Sequence, residues 1–205
     1  MPSMQYDVWS VSADSDDDYF FANATVGGAG AIALLKVNLG TNGYGYKVSI
    51  TSSTDDESGV NFTIVGDKVG YITGNPSVTE VLAGPDGSGG AATVYSVNYY
   101  SRITSITASA GTAGAVKIGY GSNLALPRTR IKGLYYVGSG NAGSIVVTSP
   151  NREFPLFKIT TPTSAASFAD SLFIPSEGIL VGSECFDDYG IVTVSNVTSY
   201  TLICG

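Results

Sequence analysis

The chain has 205 residues, 43% of them hydrophobic and 13% charged, with a net charge of −7 and no histidine. The charged share is about half that of an ordinary globular domain, so core material is ample and disorder over most of the length is excluded. Without histidine, Ser-His-Asp and Cys-His catalysis and His-ligated metals are excluded. The two cysteines, Cys185 and Cys204, are too few for a four-thiolate site. No cofactor is expected.

The stretch MPSMQYDVWSVSADSDDDYF has no basic segment followed by an apolar one. No secretory signal is therefore expected, and synthesis in the cytoplasm is. Residues 1–24 carry little strand pattern but hold Trp9 and Tyr19, Phe20 and Phe21. They are expected to form an arm that orders on a partner, with these aromatics as anchors. The alternative is a first strand folded onto its own sandwich. Asp14, Asp16, Asp17 and Asp18 are spaced like the start of a calcium loop. An EF-hand is excluded, because Tyr19 and Thr25 stand where glycine and glutamate are required. A looser cation site or a solvated acidic loop remains.

Within Ala24–Val37, N-terminal glycines favour a strand over Ala31–Val37 rather than a helix. No apolar run approaches the roughly 18 residues of a membrane span; the longest is Ala29–Leu35. Further along, period-2 or β-branched runs predict strands at Tyr46–Ile50, Asn61–Val65, Ser77–Leu82, Thr93–Tyr100, Arg102–Ser109 and Gly114–Tyr120. The same pattern recurs at Arg130–Val137, Gly143–Ser149, Leu156–Thr160, Gly190–Ser195 and Ser199–Cys204. Gly-rich turns bound almost all of them. The expected fold is all-β, an antiparallel sandwich of jelly-roll or Ig-like type. It divides into β-units at 25–125 and 126–205 that can also pack as one sandwich. Residues 106–121 and 136–149 echo each other: each pairs a strand with a small-residue hairpin loop and an alternating strand.

Residues 1–100 carry net −8 and residues 101–205 net +1. An acidic chain is a poor nucleic-acid binder, because phosphate contacts need clustered Lys and Arg. The one basic patch, Arg128, Arg130 and Lys132, alternates along a strand and would lie on one face. It is either a contact for an acidic partner or a solvated face. Asp55, Asp56 and Glu57, and Asp187 and Asp188, sit where turns place acids, and nothing in their spacing marks an acid–base pair. Cys185 and Cys204 are expected as buried thiols. The Asn-x-Ser/Thr triplets at Asn23, Asn61 and Asn196 are chance matches. Tyr99 and Tyr100, and Tyr135 and Tyr136, are adjacent on strands, so one ring of each pair is expected inside and the other outside. Outward tyrosines suit subunit contacts, or a carbohydrate platform.

Two stretches, residues 50–121 and 130–205, together resemble small β-rich virion structural proteins of tailed bacteriophages, especially cyanobacterial phages. The resemblance rests on the Gly84–Gly87 turn, Tyr95, Tyr99, Tyr100 and Ile103–Thr107 as a strand pair, Ala113–Gly119, and the Pro175–Ile179 turn. Residues 1–45 and the cysteines lie outside the pattern. The resemblance implies a non-enzymatic virion component whose partners are other virion proteins: the major capsid protein or tail proteins. Low charge and outward tyrosines suit a capsid decoration, or cement, protein, with a homo-oligomer, a trimer, expected. A tail component (connector, tube-associated or fibre protein) is the alternative, and a carbohydrate- or receptor-binding module a third. Neither nucleic acid nor membrane is expected as a partner.

Overall fold

Alternating β-branched and aromatic residues favour a pleated, half-buried backbone, and this chain builds little else. A computed structural model describes residues 9–12, 15–39, 44–69, 77–127, 129–149, 154–163, 169–173, 179–181 and 189–204. Among these it has fifteen strands and no helix, hence none long and apolar enough to cross a membrane. The first eight are β1 (Trp9–Ser12), β2 (Asp16–Thr25), β3 (Gly30–Ala31), β4 (Gly45–Ser52), β5 (Asn61–Lys68), β6 (Ser77–Ala83), β7 (Ala92–Ala108) and β8 (Ala115–Leu126). The others are β9 (Thr129–Gly138), β10 (Gly143–Thr148), β11 (Phe157–Thr161), β12 (Ala169–Phe173), β13 (Ile179–Val181), β14 (Gly190–Ser195) and β15 (Val197–Cys204). The fold is all-β with antiparallel pairing, consistent with a β-sandwich.

The chain divides into two compact units. The first contains β2–β8. Its sheet runs β8-β4-β7-β5-β6, with β2 on β8 and β3 on β7. Phe62 faces Ala108 and Ile64 faces Ile106 across β5 and β7, and all four are buried. Val48, Ile50, Ile103, Val116, Ile118 and Phe20 extend this core. Burying each such large side chain contributes about 1.5–3 kcal/mol.

The second unit contains β1 and β9–β15. One sheet runs β1-β15-β9-β12, with β13 also on β9; β10 pairs with both β11 and β14. Tyr136 faces Tyr200, and Leu134 faces Leu202. A bulge between Ile203 and Cys204 then sets Cys204 opposite Ile131 rather than Lys132, so the buried series continues in phase. Asn196, at φ 51°, turns the chain from β14 into β15. That left-handed position favours Asn. Its amide donates to Ala142 O at 2.8 Å, and its carbonyl accepts from Ser139 Oγ at 2.9 Å.

Three sequence expectations change. Thr93–Tyr100 and Arg102–Ser109 are one 17-residue strand, not a pair. Its first half pairs with β4 and its second with β5, so both edges are used in turn. Ala31–Val37 is strand only at Ala31. Its isolated backbone bonds, Ile32 N to Ile106 O at 2.9 Å and Ile103 N to Val37 O at 2.8 Å, hold an irregular edge. The echoed segments are not hairpins. β4 lies between β7 and β8, and β9 and β10 belong to different sheets. Small-residue loops permit such crossings as readily as tight turns. Within the expected arm, Trp9–Ser12 pairs with β15 and Asp16–Thr25 with β8.

Cys204 is a free, buried thiol whose pKa burial pushes up to about 12; Cys185 lies outside the described residues. Cys204 is expected to resist thiol alkylation at neutral pH in the folded protein and to react once denatured. Mass spectrometry of labelled peptides, with and without denaturant, checks this.

Candidate functional site

Carboxylates are the chemistry most evident in the sequence. Three turns converge in the first unit: 54–60, 84–88 and 111–115. Glu57 N donates to Pro85 O at 2.9 Å, and Gly84 N to Val60 O at 2.8 Å. Gly84 is required there, because a Cβ would strike Glu57 O. The Glu57 side chain, 1% exposed, accepts from Gly114 N at 2.7 Å and Ala113 N at 3.0 Å. Asp56 and Asp86 accept from Ser58 N at 2.9 Å and Ser88 N at 3.0 Å, each closing its own turn. The Ser58 bonds hold the Asp56 pKa below its usual value. These acids therefore serve the backbone.

The Asp16, Asp17 and Asp18 carboxylates gather within 4.8 Å of one another on β2. Asp17 pairs with Lys117 at 2.8 Å. The Asp16 hydrogen bond and charge raise the Asp18 pKa. Exposed acids on a strand edge have this arrangement without further purpose.

The most elaborate local structure lies in the first half of β7. Tyr99 faces Lys47 and Tyr95 faces Ser49, so Ser96, Val97 and Asn98 stand opposite Val48 alone. Three residues against one make a special bulge, larger than the usual two against one. Ser96 repairs the ladder: its buried hydroxyl accepts from Val48 N at 2.9 Å and donates to Asn98 O at 2.7 Å. Glu80 of β6 holds the other side. Its carboxylate accepts from Val97 N, from Asn98 N at 3.1 Å and Asn98 Nδ2 at 2.9 Å, and from the Tyr100 hydroxyl at 3.2 Å. Burial and the Glu80 charge push the Tyr100 pKa well up. The bulge thrusts Val97 outward to 77% exposure, with Tyr95 at 52% and Val81, next to Glu80, at 62%.

Beside the bulge is a pocket of about 230 Å³ lined by Lys47, Tyr95, Gly121, Ser122 and Asn123. A Cβ at Gly121 would lie 2.8 Å from Tyr95 Cε1, so the ring rests against bare backbone. Because β4 lies between β7 and β8, the ring crosses β4 at Ser49. The Ser49 hydroxyl is buried and has no hydrogen-bond partner among the described residues. The Lys47 ammonium sits 5.3 Å from the Tyr99 ring centre.

The residues expected as partner contacts are dispersed. Phe20 and Tyr100 are wholly enclosed, and Tyr99 and Tyr136 nearly so, which corrects their role as outward contacts. The three tyrosines lie on the central strands β7 and β9, and Phe20 is the buried residue of β2. The Tyr136 hydroxyl donates to Asp170 at 3.3 Å. Tyr99 and Tyr100 do not divide between inside and outside, whereas Tyr135, 46% exposed, and Tyr136 do. Tyr19 packs edge-on to Phe20 and Tyr120 at 5.2 and 5.1 Å, lies under Lys36 at 4.4 Å, and donates to Asn38 O at 2.6 Å. Its ring is thus engaged within its own unit. Phe21 is half-buried on β2. Arg130 is exposed and Lys132 half-buried on β9. Arg128 lies outside the described residues, as does the side chain of Trp9. Sequence reasoning passed over Lys47, Glu80, Ser96, Val97, Ser122 and Asn123. The available signal was Ser96-Val97-Asn98 interrupting the aromatic alternation of Tyr95–Tyr100.

Comparisons with protein-family models, curated proteins and solved structures find no match in any of the three.

Proposed function

We propose that the protein is a non-enzymatic structural component of a tailed-bacteriophage particle. In this role it is a capsid decoration protein that bridges capsomers as a homo-oligomer. The observation that carries this reading is the bulge. An exposed valine on a flexible loop would be ordinary, but Val97 sits on backbone fixed by Glu80 and Ser96. A preorganised apolar knob loses little freedom on docking, so more of its burial appears as affinity. Val81 and Tyr95 offer further apolar surface in the same unit. The placement of acids agrees: Glu57 and Glu80 are engaged with backbone amides.

The test is copy number in purified virions, measured by quantitative mass spectrometry against the major capsid protein. Lattice-scale abundance is expected. The abundance of a single ring would place the protein in the connector or tail, and complete absence would overturn the particle role. Val97→Glu, at a site too exposed to disturb the core, is expected to leave the unfolding midpoint unchanged. It should abolish self-association in analytical ultracentrifugation and binding to particles lacking the protein.

A further inference from the structure

The pocket beside the bulge has features that a structural contact alone does not require. Its volume of about 230 Å³ falls below the roughly 300–1,000 Å³ of pockets enclosing drug-sized ligands, and suits one ring-sized unit of a longer molecule. One wall is the half-exposed Tyr95 ring, seated on Gly121. The remaining lining residues are Lys47, Ser122 and Asn123, whose side chains carry an ammonium, a hydroxyl and a carboxamide. Among the described residues none of these three makes a hydrogen bond or ion pair, although Glu57, Glu80, Ser96 and Asn196 are all engaged.

We propose that this pocket is a subsite for one ring of an acidic saccharide, of the hexuronate class. The electron-rich face of Tyr95 attracts the C–H face of a pyranose. Vicinal sugar hydroxyls both donate and accept, which matches the hydroxyl of Ser122 and the amide of Asn123. The ring carboxylate pairs with Lys47, whose ammonium keeps its donors while lying over Tyr99. An inorganic anion would use Lys47 but leave the aromatic wall idle, and a neutral hexose would leave Lys47 unpaired. The Ser49 hydroxyl under the Tyr95 ring adds an independent point. It has no hydrogen-bond partner among the described residues. The proposal does not depend on the particle role, since copy number and saccharide binding are separate measurements.

The test is calorimetric titration of the full chain with a hexuronate trisaccharide and with its neutral hexose counterpart. One saturable site per chain is expected for the hexuronate. It should be weakened at least about tenfold, a difference readily resolved, by Tyr95→Ala and by Lys47→Ala, and little changed by Tyr95→Phe. Tyr95 is exposed enough for these variants to keep the fold, which circular dichroism checks. No saturable binding of the hexuronate would overturn the proposal, as would binding that survives Tyr95→Ala. Equal affinity for the neutral sugar would overturn the acidic assignment.

Discussion

Glu57→Ala is expected to destabilise the fold by about 3–5 kcal/mol in urea unfolding. The carboxylate is almost fully buried and accepts from Ala113 N and Gly114 N. Truncation removes the acceptor and leaves two amides facing a cavity, so their desolvation goes uncompensated. Glu57→Gln preserves the shape but turns one acceptor oxygen into an amide NH2, a donor facing a donor N–H. It should therefore fall between wild type and Glu57→Ala. A Glu57→Ala midpoint close to wild type would mean that water reaches these amides, and that the three turns are joined by their backbone bonds alone.

Glu80→Ala is expected to cost about 2–4 kcal/mol and to do something Glu57→Ala does not. It frees Val97 N, Asn98 N and the Tyr100 hydroxyl together. Tyr100 is fully enclosed, so its hydroxyl supplies much of the loss. The bulge also loses one of its two fixings and keeps only Ser96. Hydrogen exchange at residues 95–98 should therefore accelerate far more than at Ile103–Ile106, and self-association should weaken even where the protein stays folded. Unchanged exchange at 95–98 would show that Ser96 alone sets the bulge.

The strands most legible in the sequence are those with one buried face. Val116 and Ile118 alternate with Lys117 and Gly119 on β8, and on β15 the buried Tyr200, Leu202 and Cys204 alternate with the half-buried Thr201 and Ile203. The strands that sequence reasoning passed over fail for identifiable reasons. Asp16–Thr25 begins with three acids that a β-propensity argument discards, yet its outer face is solvated and Phe20 is its one buried residue. Ala169–Phe173 and Ile179–Val181 are too short to show a period. Sheet order was not legible at all. That β4 separates β7 from β8 depends on distant pairings that no local window contains. The candidate site was hidden for the same reason: Glu80 meets Val97, and Lys47 meets Tyr95 and Asn123, only after the strands assemble. Tyr99 and Tyr100 were misjudged because alternation presumes one solvated face; they pair in register with Lys47 and Tyr46, and both are buried.

Pairing of β1 with β15 has a consequence for how this chain reaches its fold on the ribosome. Trp9–Ser12 emerges early but has its partner only when Val197–Cys204 is complete. The unit containing β2–β8 needs nothing later than its own last strand and can close during synthesis. The unit that brackets it in sequence cannot, and the unpaired edge of β1 remains available to other chains until the end. Such non-local sheets fold in milliseconds to seconds rather than microseconds. Slowed translation after residue 126, or truncation before β15, should therefore favour aggregation through β1 over loss of the β2–β8 unit.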